Sequence, residues 1–104
     1  MDVADDEDRR PLIYAAEAGQ NPAVSFLLDS GADVNATDLY GKSPLIAAAS
    51  AGKSDTVSLL LNRGADSKAK VGPLSGYAGD SASEFAARNG HTDVVSILKR
   101  AKRE

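Results

Sequence analysis

Apolar residues recur along the chain in short clusters, separated at regular intervals by glycine. Residues 37–69 show the pattern best: a polar turn, an apolar run, a glycine, a polar pair, an apolar stripe and a second glycine. Ser43 is a helix N-cap type, and Pro44 suits the first helical position, where its missing N–H would have no intrahelical partner. Residues 45–51 are small or apolar and predict a short helix, which Gly52 ends by supplying a left-handed residue. Ser54 and Asp55 open a second helix, with the acid at the positive end of the macrodipole. Val57, Leu60 and Leu61 fall at i, i+3 and i+4 and form one apolar stripe before Gly64 stops the helix. Helices this short are marginal alone. The unit has to bury its stripe against neighbours, and Ala48 and Ala49 allow those neighbours to come close.

Self-comparison supplies the neighbours. Pro11 and Pro44, Gly19 and Gly52, and Gly31 and Gly64 are each 33 residues apart. The same shift lays Leu27-Leu28 on Leu60-Leu61 and Gly31-Ala32-Asp33 on Gly64-Ala65-Asp66. A third copy matches at a shift of 38, pairing Gly41 with Gly79, Ala48-Ala49 with Ala86-Ala87, Gly52 with Gly90 and Val57 with Val95. Five extra residues, placed at 70–74, separate the second and third copies. The expected organisation is one all-α domain over 1–104. It has three helix–turn–helix units at 1–36, 37–69 and 70–104, with the short first helices on the concave side.

The outer units show how the ends are handled. Asp2, Asp5, Asp6, Glu7 and Asp8, then Arg9 and Arg10, read as a solvated helical turn capping the entry to unit one, with an acidic interaction tail as the alternative. Leu12, Ala15 and Ala16 are its packing face, Asn21-Pro22 a cap followed by proline, and Val24, Leu27 and Leu28 its second stripe. In unit three, Ser81 and Glu84 fit a capping box, which makes Glu84 structural before it is catalytic. Thr92-Asp93 is read as the cap of a last helix carrying Val94, Val95, Ile97 and Leu98. That helix runs into Lys99, Arg100, Lys102 and Arg103, cations suited to a helix C-terminus and to a soluble solenoid end.

These residues resemble ankyrin repeats. The resemblance rests on the 33-residue period and on Ser43-Pro44-Leu45, Ala48-Ala49, Gly90-His91, Leu59-Leu60-Leu61 and Gly31-Ala32-Asp33-Val34-Asn35-Ala36. It covers nearly the whole chain, as an N-capping unit, one full unit and a C-capping unit with an enlarged loop. The departures are local. Arg10 and Ser43 stand for the usual threonine, Ala82 and Ser83 replace the third proline and leucine, and Ile13, Ile46 and Glu84 occupy the common histidine position. The resemblance implies binding of another protein through the turn tips and the inner face of the first helices. The tips are Leu39, Tyr40 and Lys42, then Tyr77, Ala78 and Asp80. The inner positions are Ile13 and Glu17, Ile46 and Ser50, and Glu84 and Arg88. Val71 and Leu74 in the inserted stretch have no periodic place in a helix and join this surface. Their alternative role is to plug the junction between units two and three. In the family pattern Asn35 has a turn role, and similar asparagines can be hydroxylated.

Composition narrows the remaining chemistry. The net charge is −3 and there is no cysteine, so bulk charge does not favour nucleic acid, and disulfides and thiolate metal sites are excluded. The basic C-terminal run lacks the interleaved aromatics of a single-strand binder. No apolar run has the length of a membrane span, and the acidic N-terminus is not a secretory signal. An intracellular, cytoplasmic protein is the default expectation. Gly41-Lys42-Ser43 and Gly52-Lys53-Ser54 look like the end of a phosphate loop, but the required earlier glycines are Ala36 and Ala47. His91 is the only histidine, and no nucleophile is placed beside it. The expectation is a monomeric, non-enzymatic interaction module without metal or cofactor, acting as an adaptor, inhibitor or scaffold. The alternatives are a nucleotide- or acid/base-dependent enzyme using Lys42, Lys53 and His91, and a structural part of a longer repeat array.

Overall fold

A computed structural model describes residues 6–38, 41–68, 70–72 and 79–102. Six helices follow in order: α1 (Asp6–Ala18), α2 (Asn21–Asp29), α3 (Pro44–Ala51), α4 (Ser54–Asn62), α5 (Ala82–Arg88) and α6 (Thr92–Lys102). They pack as three pairs, α1 with α2, α3 with α4 and α5 with α6. The first helices stack α1–α3–α5, and the second helices stack α2–α4–α6 behind them. Among the described residues there is no strand, only an isolated bridge between Lys70 and Ser81.

The middle unit forms as its sequence predicts. Ser43 caps α3, its Oγ accepting from the Ile46 N–H at 3.2 Å, and Gly52 closes the helix at φ 76°. Helix α1 begins at Asp6, so the run before Pro11 is helical as read and Pro11 lies inside the helix. Two starts differ from expectation. Asn21 and Thr92 are helical residues, not caps. In those tight turns the backbone already supplies the partners: the Asn21, Ser54 and Thr92 N–H groups donate to the carbonyls of Gly19, Gly52 and Gly90 at 3.0–3.1 Å. The Asn21 side chain instead crosses to unit two and accepts from the Thr56 hydroxyl, which is buried.

The core runs the length of the stack. Leu12, Ala16, Val24, Leu45, Ala48, Ala49, Val57, Leu60, Ala86, Val94 and Leu98 are all buried in it. Ile46 is 1% exposed, which corrects the expectation that it lies open on an inner face. Ile13 is buried likewise. Every residue of α3 from Pro44 to Ala49 is buried, because α3 touches α1, α4 and α5 at once and its alanines let them close in.

Backbone hydrogen bonds give the register of the loop before α5. In unit two the Asp38 N–H donates to the Lys42 carbonyl at 3.1 Å, and the Gly41 N–H donates to the Asp38 carbonyl at 3.0 Å. In unit three the Val71 N–H donates to the Asp80 carbonyl at 2.9 Å, and the Gly79 N–H donates to the Val71 carbonyl at 3.2 Å. Val71 therefore stands where Asp38 stands, and Gly79 where Gly41 stands. The five extra residues fall between those two positions, at the tip, rather than at 70–74. Val71 itself is 5% exposed and joins the core. That burial favours the plugging alternative for Val71, and Leu74 lies outside the described residues.

Candidate protein-binding surface

The turns that open units two and three lie side by side. Gly41, at φ 81°, sits so close to the Gly72 backbone that a β-carbon on Gly41 would collide with the Gly72 nitrogen. This contact sets the Val71–Gly72 backbone of unit three directly against Gly41 of unit two. Lys42 is half-buried beside it, its N–H held by the Asp38 carboxylate at 3.0 Å. Leu39, Tyr40, Leu74 and Tyr77, the apolar tip residues of the expected surface, lie outside the described residues.

Helix α5 carries the charged part of the surface. Glu84 Oε1 accepts from the Ser81 N–H at 2.7 Å and completes the capping box. Arg88 Nη2 reaches back to Asp80 Oδ2 at 2.5 Å. Its guanidinium also lies 5.5 Å from the centre of the Phe85 ring, within cation–π range. An ion pair this exposed contributes at most about 1 kcal/mol, but with the ring it fixes where Arg88 points. Asp80, Glu84 and Arg88 are thus brought together. Units one and two bury Ile13 and Ile46 where unit three exposes Glu84.

Ser50, half-buried, has partners in the next unit. Its carbonyl lies 2.9 Å from Asn89 Nδ2 and 3.1 Å from His91 Nε2, and its hydroxyl lies 3.1 Å from Asn89 Nδ2. It ties unit two to unit three. The His91 ring also rests on Gly52, where a β-carbon would come within 2.7 Å of it. Lys53 makes the matching contact one unit earlier, its aliphatic stem lying against Gly19. At the far end of the units, Asn35 Oδ1 accepts from the Asp66 N–H at 2.8 Å and Arg63 pairs with Asp29 at 2.7 Å. The sequence reading missed Asn89, and it weighed Lys53 only as a phosphate-loop lysine. The signal for Lys53 is positional: the residue after the glycine, Lys53 or His91, faces the preceding unit.

No group of three His, Asp or Glu suited to a metal ion occurs among the described residues, and no described helix is long and apolar enough to cross a membrane.

Paired short helices stacked in register define an all-α repeat solenoid. The family model for ankyrin repeats, in three copies, matches residues 12–103, and the chain belongs to that family. A comparison with curated proteins finds no match. Ankyrin repeats are generally protein–protein interaction modules and typically non-enzymatic.

Proposed function

We propose that this chain binds a protein partner through the paired turns before α3 and α5 and the exposed face of α5. The observation that carries this reading is the Asp80–Glu84–Arg88 cluster, together with the close approach of Gly41 and Gly72 between units two and three. A charged, oriented cluster that follows apolar loop residues in the sequence has the make-up of a binding rim around an apolar anchor. Leu39, Tyr40, Leu74 and Tyr77 supply the anchor in this reading, and Lys42, Asp80, Glu84 and Arg88 the rim. Ile46, Ser50 and Val71 support it from within. The role is that of an adaptor, inhibitor or scaffold acting by occupancy.

The test is affinity capture from native cell extract with three baits: the wild type, Leu39→Ala with Tyr40→Ala, and Asp80→Ala with Arg88→Ala. Both doubles should retain the wild-type melting temperature within a few degrees and lose one common captured protein. Retention of every captured protein by both variants would overturn the assignment and move the interface to the outer helices around Asp55 and Ser58.

A further inference from the structure

The two ends of the stack are built differently. Tyr14 and Phe26 are the exposed large hydrophobics among the described residues, at 60% and 69%. The repeat register shows which way they face. Shifts of 33 and then 38 carry Tyr14 to Ala47 and Phe85, Ala23 to Thr56 and Val94, and Phe26 to Leu59 and Ile97. Ala47, Thr56 and Val94 are buried. The Thr56 hydroxyl donates to Asn21 of α2, so that position faces the preceding unit. Ile97 lines a groove with Leu61 and Asn62 of α4, so that position faces the preceding unit too. Tyr14, Ala23 and Phe26 therefore form the side of unit one that, in units two and three, lies against a neighbour.

The surface that does the covering is equally definite. Ala16 and Val24 in unit one, and Ala49 and Val57 in unit two, are fully buried. Their equivalents in unit three are Ala87, which is exposed, and Val95, which is half-buried. Leu28 and Leu61 correspond to Lys99, also exposed. Charge adds a polarity along the stack. Residues 1–36 hold eight acids and two bases, net −6, and residues 70–104 hold four acids and six bases, net +2.

We propose that a second copy of this chain seats its α5–α6 side on the α1–α2 side of the first, continuing the stack head to tail. In that register Ala87 and Val95 of one copy cover Tyr14 and Ala23 of the next. Lys99 takes the place that Leu61 takes beside Ile97 and so lies beside Phe26. There its stem packs along the ring and its ammonium meets the aromatic face. Removing Tyr14 and Phe26 from water drives the contact, and the opposed net charges orient it. Such a contact is heterologous and has no symmetry that closes it, so it adds copies in series. It uses Ala87 of α5 and not Asp80, Glu84 or Arg88, so it stands or falls independently of the proposed partner site.

Sedimentation velocity of the full chain tests it, over a range of protein concentrations at low and at high salt. At low salt the wild type should show a weight-average mass that rises with concentration past that of a dimer. At high salt the rise should shrink, since charges are then screened within several ångströms. Tyr14→Ser with Phe26→Ser, and separately Lys99→Glu, should each be monomeric and keep the wild-type circular dichroism spectrum, because all three side chains are exposed. Mixing the two variants is the decisive arm. Each keeps one good end, so the mixture should form a one-to-one dimer and nothing larger. A monomeric wild type at every concentration at low salt overturns the proposal. So does Lys99→Glu that associates as the wild type does, which would mean two Tyr14–Phe26 faces meeting each other, and so does a mixture that stays monomeric.

Discussion

Gly52 shows how one position can be constrained twice. Its φ of 76° lies in the left-handed region that side chains resist, and the His91 ring occupies the space a β-carbon would enter. Gly52→Ala should lose more than about 1 kcal/mol from the backbone alone. In a His91→Ala background the loss should be smaller, because the collision is gone; a double-mutant cycle in urea checks this. Equal losses in both backgrounds would mean the ring moves aside freely. Ser83 is the opposite case. It stands at the position of Leu12 and Leu45, and among the described residues its buried hydroxyl has no hydrogen-bond partner. An unsatisfied buried hydroxyl costs on the order of 1–3 kcal/mol, so Ser83→Ala should raise the urea midpoint by the equivalent of about 1 kcal/mol. A lowered midpoint would show that the hydroxyl is satisfied in solution.

At the scale of elements, the loop before α5 separates packing from recognition. Val71 is held by two backbone hydrogen bonds and buried in the core. Deleting residues 70–74 restores the 33-residue spacing but removes Val71, and should lower stability by more than about 1 kcal/mol, the scale of burying one aliphatic side chain. Deleting residues 73–77 restores the same spacing and keeps Val71. That variant should lose less, and it should lose partner capture if the tip is the anchor. Thermal denaturation of the two deletions side by side decides which residues are insertion and which are frame. The helices were legible because caps, glycine stops and apolar stripes are local signals. The insertion point was not, since a repeat shift fixes only the matched residues on either side of a gap. The bonds from Val71 to Asp80 and from Gly79 to Val71 locate it inside.

For the molecule as a whole, stability resides in the contacts between units. Leu60 is fully buried at the centre of the stack. Leu60→Ala should cost roughly 2–5 kcal/mol, as truncations of core leucine do. With only three units to share the loss, all six helices should melt together. Hydrogen exchange and circular dichroism should report the same midpoint. Exchange protection surviving in α1 and α2 after α5 and α6 have opened would show that the units fold separately.

The amino-acid sequence by itself determined the number of units, their helices and their stops, because these depend on neighbours a few residues apart and on a spacing that repeats. It also placed the capping box at Ser81 and Glu84. Which faces are open was decided only by stacking. The face of α3 that holds Ile46 looks available along one helix, and it closes once α1 and α5 flank α3. Ser50 gains its part as a tie between units for the same reason. Tyr14 and Phe26 are unremarkable in a helical pattern, and they become an uncovered face only when the second and third units show what normally lies against them. Exposure depends on residues distant in sequence, and the tertiary structure is what brings those together.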